Sequence, residues 1–226
     1  MYLRYAIYFA PEAGSDLDSF GTSWLGWDLD RGQPAPHPDI QDFDIAAVTE
    51  RPRKYGFHGT LKAPFRLAAQ TIEEDLSEAL ERTANNMAPF EIPSLQVTPI
   101  GKFLAIVEDQ ACPQLRAMAA QLVQTLDRFR APLTDAELKR RRQSKLTPTQ
   151  DALLVKWGYP YVFEAFQFHL TLSGPLDPNT QERVSTEAKR RLHSILDKPQ
   201  RCNDVSLCAE REDGTFIRLS RHPFRG

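Results

Sequence analysis

Two segments of this chain repeat the same reactive side chains at the same spacing. Phe57-His58-Gly59-Thr60-Leu61-Lys62-Ala63-Pro64 and Phe168-His169-Leu170-Thr171-Leu172-Ser173-Gly174-Pro175 agree at five of eight positions: Phe, His, Thr, Leu and Pro. One His-x-Thr is a weak signal, and in a strand it is more often a satisfied structural pair. Two copies in a longer matching frame are another matter, because strand packing alone does not demand His and Thr at matched offsets. In a strand, alternate side chains face opposite ways. His58 and Thr60 would therefore share one face, with Phe57, Gly59 and Leu61 on the other. His169 and Thr171 would likewise stand opposite Phe168, Leu170 and Leu172. Pro64 and Pro175 close the segments, since proline cannot donate to a central ladder.

Two such strands brought face to face make a compact acid–base site. Imidazole titrates near neutrality, so one ring can take a proton from water while the other gives one to a leaving oxygen. The hydroxyls of Thr60 and Thr171 can hydrogen-bond phosphoryl oxygens as charge builds on them. Which histidine is the base stays open. No metal or other cofactor is expected, because no His- or Cys-rich cluster has zinc-ligand spacing and no acidic cluster suggests a two-metal site.

The elements that must hold these motifs are interspersed strands and helices. Tyr2 to Ala10 reads as a strand, and the Gly- and Pro-containing stretch from Asp28 to Asp42 as loop. Thr71 to Glu74 reads as a capping box opening a helix with Ile72, Leu76 and Leu80 on one face. Glu91 to Glu108 reads as a hairpin turning near Gly101, and the stretch after Pro113 as a helix striped by Leu115, Met118, Leu122, Leu126 and Phe129. A charged helical region spans 134–158, with capping signals at Thr134 and at Thr147-Pro148, and a stop at Gly158. Tyr161 to Leu172 reads as strand and Pro178 to Leu196 as a polar helix. Asp213-Gly214 marks a hairpin between two final strands. The motifs lie close to half the chain length apart, as a duplicated architecture would place them.

With both motifs, the chain resembles the 2H phosphoesterase superfamily, named for two His-x-Thr/Ser motifs in one chain. The resemblance implies an α+β fold: one bilobal, pseudo-symmetric domain over 1–226, two antiparallel sheets flanking a central cleft with helices outside, and one motif (58–60 and 169–171) per lobe. It implies metal-independent hydrolysis of a small cyclic phosphodiester, with His58 and His169 as acid–base pair and Thr60 and Thr171 on the phosphate. Gly59 departs from the larger residue usual between His and Thr, at a position that faces away from the site. The strings Arg53-Lys54-Tyr55-Gly56-Phe57-His58 and Trp157-Gly158-Tyr159-Pro160-Tyr161 are similar to a bacterial branch often encoded with phosphonate-utilisation genes. That branch implies a phosphorylated ribose carrying a cyclic phosphate. The rival readings are a nucleoside 2′,3′-cyclic phosphate or RNA-end phosphodiesterase, and a non-catalytic module binding RNA or a phosphate ligand.

Around the motifs, Lys62 would fall on the face of His58 and Thr60 if the strand stays regular, ready to neutralise a second phosphate. Ser173 holds the equivalent place in the second motif. Arg53 and Tyr55 would form a rim, and Tyr159 and Tyr161 would stack on a sugar or base. Against each stands an ordinary role as solvated cation or core aromatic. The parity of Tyr8 is not settled by sequence, and the basic run Lys139 to Arg142 reads as a solvated helix face. His37, His193 and His222 lie outside any His-x-Thr frame, and the oligomeric state is left open.

Composition narrows the partners. There are 28 Lys plus Arg against 30 Asp plus Glu, so the net charge is −2 and duplex nucleic acid is not the expected partner; a small phosphorylated substrate is. Three cysteines (Cys112, Cys202, Cys208), odd and sparse, point to a reducing cytoplasm and inert thiols. No apolar run approaches a membrane span, and the first ten residues lack a signal-peptide apolar region, so no membrane partner is expected.

Overall fold

A computed structural model describes residues 2–226. The aromatic N-terminal run forms strand β1 (Arg4–Phe9). Ser15 then caps helix α1 (Asp16–Leu25), its side chain accepting from the Asp18 amide, and Gly26 ends it in a left-handed conformation. The Pro- and Gly-rich loop contains only a two-residue pairing, β2 (Trp27–Asp28) with β3 (Gln33–Pro34). Asp44 caps helix α2 (Ile45–Arg53), and the first motif follows as strand β4 (Gly59–Phe65).

Helix α3 (Glu73–Ala84) starts later than the expected capping box. The Thr71 hydroxyl donates to the Ala68 carbonyl at 2.8 Å instead of capping, and Ile72 is exposed at the N-cap. A short strand β5 (Phe90–Ile92) precedes the expected hairpin, β6 (Leu95–Ile100) and β7 (Phe103–Glu108), which turns at Gly101 with φ of 58°. Pro113 opens helix α4 (Pro113–Thr125), followed by a 3-10 turn at Asp127–Phe129.

Helices α5 (Asp135–Arg142) and α6 (Pro148–Trp157) both begin with complete capping boxes, and Gly158 stops the second. The strand expected from Tyr161 to Leu172 shrinks to β8 (His169–Thr171). Before it the chain makes a 3-10 turn at Phe163–Ala165, with Phe163 at φ of 53°. Val162, Phe166 and Phe168 are buried there as plugs, without the alternation a strand would give them. Helix α7 (Pro178–Leu196) and strands β9 (Gln200–Cys202), β10 (Asp204–Glu210) and β11 (Phe216–Pro223) complete the α+β fold.

Seven strands join in the order β11-β10-β1-β4-β8-β7-β6, and every pairing is antiparallel. The two sheets expected to flank a cleft are the two wings of this one sheet. They meet between β4 and β8 at a single aligned pair, Gly59 with Leu170. Strands β5 and β9 pair separately. One face of the large sheet carries a continuous apolar core that takes in Phe9, Leu61, Leu104, Leu122, Leu170 and Leu192. Residues of α1, α2, α3, α4 and α7 all enter this core, while α5 buries no residue and α6 buries only Leu154. The opposite face is left open along the junction of the wings.

The junction depends on the missing side chain at Gly59, because a Cβ there would overlap the Phe168 ring. Gly59→Ala is expected to destabilise the protein by about 1–3 kcal/mol, the usual cost of overpacking a closed contact. Chemical denaturation measures it. A neutral effect would show that the ring moves aside freely and that the junction does not require glycine.

Candidate active site

The antiparallel pairing at Gly59 and Leu170 arranges the four motif side chains. About that pair, His58 lies across from Thr171, and Thr60 across from His169. Directly opposed positions place their Cβ atoms about 4.5–5.5 Å apart. The outward residues of both motifs go where alternation requires: Phe57, Leu61, Phe168, Leu170 and Leu172 are all in the core behind the sheet. Neighbouring strands continue the open face, since Tyr8 of β1 pairs with Thr60, and Ala105 and Val107 of β7 pair with Thr171 and His169.

Each imidazole is held by its own backbone. His58 Nδ1 lies 2.9 Å from the Gly56 carbonyl, and His169 Nδ1 lies 2.9 Å from the Gln167 carbonyl. A carbonyl only accepts, so each ring must donate Nδ1–H and keep its Nε2 for the open face. His58 Nε2 lies 3.2 Å from the Thr60 hydroxyl, which can donate to it. Gly56 supplies its carbonyl from a left-handed conformation (φ 70°), and a Cβ there would press on Leu29. Tyr8 covers one face of the His58 ring, with centroids 3.7 Å apart and planes at 24°. Tyr55 stands 6.3 Å from His58, and Phe103 stands 6.2 Å from His169.

These contacts set the protonation state. Burial pushes the His58 imidazole down to about 4, the Gly56 carbonyl works against that, and the nearby His169 lowers it further. In the free protein His58 is therefore neutral at pH 7, with a basic nitrogen turned to the cleft. An anionic phosphoryl group bound between the rings would raise the affinity for protons again.

A cavity of about 270 Å³ opens beside this pair, lined by Arg51, Tyr55, His58, Phe103, Thr171 and Gly174 among others. Among the described residues no group of three or more His, Cys, Asp or Glu side chains could hold a metal ion.

Several flanking residues stand elsewhere than expected. Lys62 is buried, and its Nζ donates to the Val123 carbonyl at 3.1 Å and pairs with Asp127 at 3.4 Å. The cause is a β-bulge. Tyr8 pairs with Thr60 but Ile7 with Lys62, so one extra residue intervenes and Lys62 turns to the core side. Burial lowers its pKa to about 8, with Asp127 opposing the shift.

Arg53 also turns inward, donating to the carbonyls of Leu25 and Ala46 and to the Thr49 hydroxyl. Two residues along a helix is more than half a turn, so Arg51 points out to the cavity where Arg53 was expected. Ser173 lines the cavity, but its hydroxyl accepts from the Leu104 amide at 2.9 Å and donates to the Gly174 carbonyl at 2.8 Å. It fastens β8 to β7 and has no proton left for a ligand. Tyr55 lines the cavity as expected. Tyr159 and Tyr161 do not; they pack on each other at 5.5 Å beyond the α5–α6 hairpin. Tyr8, Arg51 and Phe103 are the cleft residues that sequence reasoning left unassigned. A helical projection of α2 would have separated Arg51 from Arg53, whereas Tyr8 and Phe103 required the pairing register. The three cysteines are free and buried, as expected of inert thiols.

This is an α+β protein whose two His-x-Thr strands meet in one cleft. It belongs to the family described as "Protein of unknown function (DUF1045)", which matches residues 60–217. Among curated proteins, a ribose 1,5-bisphosphate phosphokinase PhnN of Janthinobacterium sp. (strain Marseille) is 32% identical over 99% of this chain and 51% of its own length. A protein of the same name from Laribacter hongkongensis (strain HLHK9) is 31% identical over 97% of this chain and 51% of its own. The chain thus spans about half the length of the curated relatives it matches. Among solved structures, E. coli LigT complexed with NADP+ shares 13% identity and a TM-score of 0.47, covering 100% of this chain and 99% of LigT. No described helix is long and apolar enough to cross a membrane.

The pKa of His58 has a consequence for stability. Below about pH 6.5 the unfolded chain takes up a proton that the folded His58 refuses until about 4. Folding stability is therefore lost as pH falls through that window. The stability difference between wild type and His58→Gln is expected to shift in favour of the variant between pH 7 and pH 4.5, read by urea denaturation. An unchanged difference would mean that the ring is not desolvated.

A second expectation follows for Lys62. Lys62→Met should cost about 1–3 kcal/mol by leaving backbone and carboxylate acceptors unpaired, read by urea denaturation. An unchanged midpoint would mean that the contacts to the Val123 carbonyl and Asp127 carry no stability.

Proposed function

We propose that this protein opens a small cyclic phosphodiester by two-histidine acid–base hydrolysis. The observation that carries the reading is the antiparallel pairing at Gly59 and Leu170, which gathers both His-x-Thr motifs on one open face. In the step, His58 Nε2 takes a proton from water and the water oxygen forms a bond to phosphorus. The bond to the leaving ribose oxygen breaks, and His169, entering the step as imidazolium, gives that oxygen its Nε2 proton. His58 suits the base because burial keeps it neutral. Thr60 and Thr171 donate to the non-bridging oxygens, where negative charge accumulates in the transition state. The step draws on water and these four side chains.

The names of the relatives support a substrate class. They are named for a kinase of ribose 1,5-bisphosphate, and this chain matches about half of each. Opening a 5-phosphoribosyl 1,2-cyclic phosphate with O2 as leaving group yields ribose 1,5-bisphosphate, the compound in that name. This favours a cyclic ribose phosphate in phosphonate metabolism over a nucleoside 2′,3′-cyclic phosphate or an RNA end, and over a module that only binds.

The test is turnover of a panel of cyclic phosphates in excess chelator, with product position read by ³¹P NMR. The expected result is consumption of the ribose 1,2-cyclic phosphate, release of the 1-phosphate, and loss of at least about 100-fold in kcat for His58→Ala and His169→Ala, the range general acid–base catalysis supplies. The acid limb of kcat/KM should fall near pH 4, where His58 protonates in the free protein. Faster turnover of nucleoside cyclic phosphates would replace the substrate, and activity abolished by chelator would replace the mechanism. Tight ligand binding by wild type and both variants, with no cyclic phosphate consumed, would make this a binding module.

A further inference from the structure

Away from the histidine cleft, the end of β4, helix α4 and the hairpin of α5 and α6 enclose a small recess. The hairpin is fastened by polar contacts. Arg66 pairs with Glu137 at 3.0 Å, and Arg130 donates to the Lys156 carbonyl at 3.0 Å. Arg142 ties α5 to α6 through Asp151 at 2.6 Å. Five cations line the recess: Arg4, Lys62, Arg66, Arg130 and Arg141. Four are matched by carboxylates, Arg4 by Glu210, Lys62 and Arg130 by Asp127, and Arg66 by Glu137.

Arg141 is the exception. Among the described residues no carboxylate pairs with its guanidinium, which lies 5.2 Å over the Tyr159 ring. Its Nε is sealed from solvent and has no hydrogen-bond partner. A partly buried cation left without an acceptor is costly, and an anion would relieve that cost. Burial lowers the Arg141 pKa, Tyr159 and the more distant Glu137 oppose this, and Arg140 and Arg4 add repulsion. An idle charge is thus held in a fixed place by a helix whose other fastenings are complete.

Strand β1 runs between the two places: Arg4 lines the recess, and Tyr8 further along the same strand stacks on His58. Four residues of strand separate Arg4 from Tyr8, roughly 13 Å, and the arginine side chains close part of that distance. The recess itself has about 20 Å³ of free space, room for one or two oxygen-sized groups. It admits the terminal oxygens of an anion, not a sugar.

We propose that Arg141, backed by Tyr159 and the charge of Arg4, is a second anion site that takes the phosphate at the far end of the substrate from its cyclic phosphate. The proposal rests on the cyclic-phosphodiester reading and deepens it, because it names the side chain that selects for a second phosphoryl group on the sugar. It also gives the 134–158 region a role in substrate selection.

The experiment compares kcat/KM for ribose 1,2-cyclic phosphate with and without a 5-phosphate. Wild type should prefer the 5-phosphorylated compound. In Arg141→Gln that preference should fall at least about tenfold, mostly through KM, and Arg141→Lys should restore part of it. A preference unchanged in Arg141→Gln overturns the proposal, as does an equal loss on both substrates. If wild type consumes neither compound, the hydrolysis reading has failed, and the anion site is read separately by thermal shift with inorganic phosphate. A phosphate-induced rise in Tm that is smaller in Arg141→Gln than in wild type supports the site. An equal rise in both overturns it.

Discussion

The backbone pairing of Gly59 with Leu170 is the constraint on which the remaining architecture turns. On one side of it lie β4, β1, β10 and β11; on the other, β8, β7 and β6. Because one aligned pair joins the wings, the residues flanking it on both strands are brought together across a short junction. Glycine at 59 lets the Phe168 ring close over the joint from behind, and Phe168 in turn precedes His169. The contact that seals the core also fixes the approach of the two imidazoles.

Around that junction the polar groups are used in two ways. Those that position the histidines are backbone carbonyls, Gly56 and Gln167, each two residues upstream of the ring it holds. The histidine orientation thus depends on local geometry repeated in both motifs, with little contribution from other side chains. The charged side chains nearby serve mostly to fasten elements: Lys62 to α4 and Asp127, Arg53 to the ends of α1 and α2, Ser173 to β7. Their burial leaves few free cations near the cleft of a chain of net charge −2. The cleft is lined mainly by neutral side chains with Arg51 beside them, not by a broad basic surface.

The two classes of helix differ for the same reason. Helices α1, α2, α3, α4 and α7 bury apolar residues in the core, where non-directional contact suffices. Helix α5 buries none and is attached through ion pairs and a capping box. A helix attached by polar contacts can sit at an edge of the fold without altering the sheet.

The sequence by itself determined the motif pairs, the faces they use, most helix boundaries marked by a cap or proline, and the terminal hairpin at Asp213-Gly214. All are local consequences of strand alternation, capping chemistry and turn preference. It could not determine what depends on the partner strand. Lys62 shares parity with His58 and Thr60 on paper, but a bulge against β1 turns it to the core. Tyr8 reaches His58 only through its register with Thr60. Val162, Phe166 and Phe168 resemble a strand in composition yet serve as separate plugs, since burial satisfies apolar side chains in any backbone conformation. The desolvation of the His58 ring was likewise invisible, because it depends on what packs on the motif and not on the motif itself. Tertiary structure decided it by closing Tyr8 over that ring, since desolvation is a property of surroundings.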